Sequence, residues 1–329
     1  MRTFLLRFIP LLFVFAVLPL LAQDHQTRFE VTESFLKDWA HGPVRAMEVN
    51  LDCAGPVHDA ANDCELHIGS ALVDASISDF QGIVLEPPNL CKDPKANWRS
   101  TINALGGEDC TGTGFVRAWP EHLTNGSGCS NPNHFMEVHP LTHLKCGATE
   151  FDFTATLRAY DDLGYKPAAI VRKMLGMNVW VCRGCSAGAS EMPTIGFDYC
   201  FGSPCKAGQA SNFARMNVVI LRNTIRPEAG KTLPGFATVI ARVQPVDVPD
   251  EDTQMSLLKL YAIEGTDFYD ALLAERGKTG DVPTWEILGI FAIDPFSVLK
   301  TVEAKDFENG KWTAVNNPVT LVVFGSLSQ

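Results

Sequence analysis

Ten cysteines follow a short apolar leader in this 329-residue chain, and no other feature restricts its folding as strongly. The leader starts with Arg2 and Arg7, runs without a charge from Phe8 to Ala22, and ends in Leu20-Leu21-Ala22-Gln23. A basic start, a short apolar core and a small residue at the end mark a signal peptide spanning residues 1–22. Its uncharged run is shorter than the ~20 residues a spanning helix needs. No stable membrane insertion is therefore expected after cleavage, and the expected location is periplasmic or extracellular. In an oxidising compartment an even number of cysteines favours bridges. The candidates are Cys53, Cys64, Cys91, Cys110, Cys129, Cys146, Cys182, Cys185, Cys200 and Cys205, and their pairing stays open at this level.

Charge narrows the partners. Beyond residue 22, 25 Lys and Arg stand against 38 Asp and Glu, and residues 23–150 hold 8 basic and 18 acidic side chains. That field repels a phosphate backbone, so nucleic acid is not an expected partner.

Short stretches of alternating or apolar residues, separated by Gly, Pro, Asn and Asp, dominate the pattern and predict strands. In the first half these are Val44–Leu51, Cys64–Ile68, Gly82–Leu85, Gly114–Trp119 and Phe135–His143, with a longer irregular insertion over Pro87–Cys110. Five short strands of this kind suit a small closed barrel. Thr32 caps a short predicted helix that runs to Ala40, and Pro167 marks the start of helix within Asp161–Leu175. The second half offers Met216–Leu221, Phe236–Val243, Leu257–Ile263 and Trp285–Ile293. The expected fold class is mainly β, with two small OB-like barrel or sandwich domains, short helices and disulfides. The expected organisation is an N-terminal helical segment (23–43), an acidic, His-containing first β domain (44–149), a Cys-rich connection (150–209) and a second β domain (210–329). Either the second domain is a divergent repeat of the first, or apolar alternation gives the likeness by chance. The matching places Gly82-Ile-Val-Leu beside Phe236-Ala-Thr-Val, and Phe135-Met-Glu137-Val-His139 beside Trp285-Glu286-Ile-Leu288. Leu288 would then stand where the first copy has His139.

All eight histidines precede residue 144. On an extended strand side chains alternate faces, so Glu137 and His139 share one face. His143 joins them if the strand continues past Pro140, and His134 points away unless a bulge intervenes. His67, on an earlier strand, can reach the same face. Imidazoles with a carboxylate suit zinc or another divalent metal, and an open position on such an ion activates water. The candidate metal ligands are thus His67, Glu137, His139 and His143. The competing reading makes them hydrogen-bonded packing residues.

The motifs Cys64-Glu-Leu-His67-Ile, Gly82-Ile-Val-Leu-Glu-Pro-Pro, Phe115-Val-Arg and Met136-Glu137-Val-His139-Pro140-Leu resemble an uncharacterised domain of secreted bacterial proteins. That domain carries an Asp-x-His-Leu type strand and a later Glu-Leu-His-Pro-Val type strand. The resemblance covers about residues 44–146. It implies an OB-like barrel and export, and it carries no established activity. The extra cysteines, and Asn62-Asp63-Cys64 ahead of Glu65, depart from its pattern.

Two further clusters offer other chemistry. Cys182-Arg-Gly-Cys185, with Cys200 and Cys205, suits structural disulfides, a zinc ribbon or a redox dithiol. Asp247-Val-Pro-Asp250-Glu251-Asp252 is an acidic turn without calcium-loop spacing. No nucleophile elbow, phosphate loop or dinucleotide fingerprint is present. The function expected first is an exported binding or interaction protein for a small molecule, sugar or protein, with Trp98 and Trp119 as candidate contacts. The alternatives are a metal-dependent hydrolase built on the His/Glu group and a structural envelope protein.

Overall fold

The computed structural model describes residues 27–58, 64–92, 97–122, 126–158, 168–185, 191–197, 213–228, 234–246 and 255–328. The leader, Cys200, Cys205 and the acidic turn at 247–252 lie outside the described residues. A first strand, β1 (Thr27–Glu30), leads into helix α1 (Glu33–His41). Thr32 caps α1 as the sequence predicts: its hydroxyl accepts from Phe35 N at 3.3 Å, and Glu33 sits in the first turn, where the helix dipole favours a carboxylate. The helix buries Phe35, Leu36 and Trp39, and Trp39 Nε1 donates to Val116 O at 2.8 Å.

The first barrel comprises β2 (Val44–Val57), β3 (Leu66–Leu72), β4 (Gly82–Leu85), helix α2 (Trp98–Asn103), β5 (Asp109–His122) and β6 (His134–Cys146), extended at the edge by β7 (Thr149–Asp152). The order is β4-β3-β2-β5-β6-β7, and a parallel pairing of β4 with β6 closes the ring. β2 serves both β3 and β5, and register breaks at Leu51/Cys53 and Ala54/Val57 let it turn the corner. A three-strand meander, a helix before the fourth strand and parallel closure of the third on the fifth form an OB-type barrel. Three disulfides staple it: Cys53–Cys129, Cys64–Cys91 and Cys110–Cys146.

The connection continues with α3 (Ala168–Leu175), β8 (Val179–Arg183) and β9 (Pro193–Phe197). The second barrel follows: β10 (Phe213–Ile220), β11 (Arg226–Glu228), β12 (Phe236–Pro245), β13 (Ser256–Ile263), α4 (Asp267–Glu275), β14 (Thr284–Ile293), α5 (Pro295–Val302), β15 (Thr313–Ala314) and β16 (Val319–Ser328). Its ring runs β10-β14-β16-β13-β12 and closes through β10–β12, with β13 parallel to β16. Strand for strand this is the connectivity of the first barrel, with α4 in the place of α2.

The shared plan corrects the sequence matching by one strand. β4 corresponds to β13 and not to β12, and β6 corresponds to β16 and not to β14. Leu288 is therefore not the counterpart of His139. Short apolar strands resemble one another, so a sequence match slides freely between neighbours. A shared structural detail holds the correct alignment: the fourth strand of each barrel carries a glycine at a break in register. A Cβ on Gly114 would sit 2.1 Å from Pro140 O, and one on Gly289 would sit 2.5 Å from Val322 O.

The flanking segments also form structure of their own. β1, β9, β8 and β15 make a four-stranded sheet that joins the N-terminal segment, the connection and an insertion of the second barrel. Cys182 and Cys185 are bridged at the end of β8, across a turn in which Gly184 takes φ +76°. That bridge removes two ligands from the zinc-ribbon reading. The outer faces of the two barrels meet through Phe115 and Leu157 from the first and Phe213, Tyr261, Leu288 and Phe324 from the second. Among the described residues, no helix is long and apolar enough to cross a membrane.

Candidate metal centre

Strand register brings the chemistry together. On β3 and β6 the even-numbered residues Leu66, Ile68, Met136 and Val138 fill the core of the first barrel. Glu65, His67, Glu137 and His139 therefore project outward, as alternation requires. Glu86 directly follows β4. The β3–β4 register, in which Ile68 faces Leu85, sets His67 beside Glu86, and the β4–β6 register, in which Leu85 faces Val138, sets Glu86 beside His139. His58, just past β2, donates its backbone N–H to Glu65 O at 2.9 Å. Arg117 on β5 stands opposite Glu137. Side chains on or directly beside all five strands of the barrel thus converge on one patch of its wall, and the second barrel covers it. The His139 ring packs edge-on against Phe213 and Phe324, with centroids 6.2 and 5.7 Å away.

The contacts are close and buried. His139 Nε2 lies 2.7 Å from Glu65 Oε1, and its Nδ1 lies 2.5 Å from Glu86 Oε2. Neither contact is aligned as an N–H···O hydrogen bond. Arg117 Nη1 donates to Glu137 Oε2 at 2.5 Å, while its Nε donates to Phe291 O of the second barrel, also at 2.5 Å. The other Glu137 oxygen lies 3.3 Å from His134 Nε2, and His134 Nδ1 donates to Pro132 O at 2.7 Å. His67 Nε2 is 3.3 Å from Glu86 Oε1 and 4.0 Å from Glu65 Oε2. Glu65, Glu86, Glu137, His134, His139 and Arg117 are all buried, whereas the His67 side chain keeps 12% of its surface exposed.

Burial and charge act against one another here. Burial pushes the His139 pKa down, but Glu65 and Glu86 more than reverse this and hold the imidazole well above its ordinary value. Burial pushes Glu137 up, yet Arg117, His134 and His139 hold it well below the usual carboxylate range. Glu86 is pushed up by burial and by Glu137, and His67 and His139 draw it down to a net lowering. Three buried carboxylates in one place demand compensating positive charge. A proton on His139, Arg117 and a divalent cation can each supply part of it. The donors fall into three overlapping groups suited to a metal: His58, Glu65 and His67; Glu65, Glu86 and His139; and Glu86, His134 and Glu137.

Of the four residues expected from sequence, His67, Glu137 and His139 are brought together. His143 is not. β6 does continue past Pro140, but His143 sits four residues beyond His139, opposite Thr113 and beside β7. Its Nε2 is 3.6 Å from Asp152 Oδ1 and its side chain is 34% exposed. His134, expected to point away, reaches Glu137 instead, at the irregular stretch of β5–β6 pairing between Ala118 and His122. Sequence reasoning missed Glu65, Glu86, His58 and Arg117. One signal was available: Glu65-Leu66-His67 and Glu137-Val138-His139 repeat the same Glu-x-His strand pattern. Of the candidate ligand contacts Trp98 and Trp119, the second is packed inside and the first is partly buried against the core. Trp119 is fully buried, stacked 6.1 Å from Phe291, and Trp98 packs on Phe151 and Phe153.

Comparison with known protein families finds no match to this chain, and comparison with curated proteins finds no significant relative.

Proposed function

We propose that this is an exported binding protein whose ligand is a divalent transition-metal ion, held in the wall of the first barrel by Glu65, Glu86 and His139. The observation that carries the reading is the convergence of these side chains, with Glu137 behind them, at a point closed off by the second barrel. Imidazole nitrogen with carboxylate oxygens suits zinc and its neighbours. The four bridges found among ten cysteines fit an oxidising compartment, which supports export. Burial favours binding over turnover: a hydrolytic metal needs an open position that a substrate can reach, and Glu65, Glu86 and His139 are covered on all sides. At a free concentration 100 times its Kd, an ion that binds only the folded chain would add about 2.7 kcal/mol to stability.

The test is the metal content of the purified, disulfide-intact protein, measured by mass spectrometry beside His139→Ala. Bound zinc or a similar ion, lost in the variant, supports the reading. A metal-free protein whose thermal stability is unmoved by added zinc or by chelator overturns it. The cluster would then be an imidazolium held between Glu65 and Glu86, as in the purely structural reading.

A further inference from the structure

The proposed ion does not account for how Glu65 and Glu86 are shared. Each turns one oxygen to His139 and the other to His67. Glu65 Oε1 lies 2.7 Å from His139 and its Oε2 lies 4.0 Å from His67. Glu86 Oε2 lies 2.5 Å from His139 and its Oε1 lies 3.3 Å from His67. Two carboxylates side by side, each flanked by the same pair of imidazoles, have the layout of a carboxylate-bridged two-metal centre. In such centres the ions stand about 3.5–4 Å apart, one on each oxygen of the bridge.

We propose that the site takes two divalent transition-metal ions, bridged by Glu65 and Glu86. This inference rests on the reading of the cluster as a metal centre. The inner ion takes His139. The outer ion takes His67 and His58, whose rings meet edge to face with centroids 4.5 Å apart. The ligating atoms of His58, Glu65 and His67 lie within 4.8 Å of one another. Both ring nitrogens of His139 and Glu86 Oε2 are fully buried and lack aligned hydrogen bonds; Nε2 is turned to Glu65 and Nδ1 to Glu86, and one of the two serves the inner ion. The third group of donors, Glu86, His134 and Glu137, is the poorer position. The Arg117 guanidinium already sits 2.5 Å from Glu137 and would repel a cation there. The two bound ions differ in access. The inner one is sealed beneath Phe213 and Phe324, while the outer one lies under His67, whose side chain keeps 12% of its surface exposed. Two imidazoles and two carboxylates at the outer position suit zinc, cobalt, iron or manganese.

The experiment is metal stoichiometry on the full, oxidised protein, stripped with chelator and dialysed against zinc. Two equivalents per chain are expected for the wild type and one for His67→Ala. Loading with manganese(II) adds a second readout. Bridged ions give an exchange-coupled resonance spectrum, and His67→Ala reduces it to the six-line signal of an isolated ion. One equivalent in the wild type, unchanged by His67→Ala, overturns the second ion and leaves the single inner ion standing. Two equivalents with uncoupled signals overturn the carboxylate bridge. No bound metal at all overturns this inference together with the reading beneath it.

Discussion

Arg117 of the first barrel donates through Nε to the carbonyl oxygen of Phe291 in the second, at 2.5 Å. The same guanidinium neutralises Glu137, so one side chain links the charged cluster to the interface that covers it. Removing it leaves a buried carboxylate short of its main counter-charge and a buried carbonyl without that donor. Arg117→Met is expected to cost about 3–5 kcal/mol, as measured by urea unfolding. Combining it with Glu137→Gln should recover part of that loss. Equal stability of the single and double variants would show that the guanidinium is not compensating Glu137.

The pH response of the metal-free protein follows from His139. Its folded pKa is raised well above the ordinary value, so its contribution to stability is complete below about 6.5. It is lost as pH rises through the folded value. Glu137 and Glu86 are lowered, so their contribution is present above about 4.3 and is lost as pH falls through their folded values. The chelator-stripped protein should therefore melt at falling temperature as the buffer is taken from neutral to alkaline. Zinc requires the neutral imidazole, so the increment in melting temperature from added zinc should instead grow with pH. A zinc increment that does not change with pH would contradict His139 as a ligand.

His143 lies outside the cluster, and its exposed contact with Asp152 contributes little. His143→Ala should leave metal content unchanged and stability within about 0.5 kcal/mol. Loss of metal in this variant, measured beside His139→Ala, would restore it to the ligand set.

The disulfides should rank by the length of chain they close. Cys53–Cys129 spans 76 residues, whereas Cys182–Cys185 spans 3. Loop-closure entropy assigns about 4.5 kcal/mol to the first and about 1.5 kcal/mol to the second. Paired Cys→Ser variants compared by urea unfolding check this. A larger loss from the short bridge would assign it a role beyond restricting the unfolded chain.

The two glycines at the barrel bulges make a matched pair. Gly114→Ala and Gly289→Ala each drive a methyl group into a neighbouring backbone carbonyl, and each should destabilise by about 1–3 kcal/mol. Gly42→Ala, whose added Cβ would find its nearest neighbour at 3.5 Å, should be nearly neutral. Tolerance at both barrel positions in thermal denaturation would mean that the bulges relax without cost.

The sequence alone determined the local chemistry of this protein. Because those signals act over neighbouring positions, residue alternation and turn-forming residues located all five strands of the first barrel and four of the five of the second, missing β16. The cap at Thr32 was legible for the same reason. So was the pairing of Glu137 with His139 on one face, since strand parity needs no knowledge of the fold. Tertiary structure decided the rest. Glu65 and Glu86 join His139 through pairings between strands distant in sequence, and local periodicity does not encode which strands pair. The β6–β7 pairing carried His143 away from the same patch. The burial that sets the cluster's charge comes from Phe213 and Phe324, more than 70 residues beyond His139. A residue's pKa and its capacity to hold a metal depend on what surrounds it in space. In this protein the second barrel supplies that surrounding.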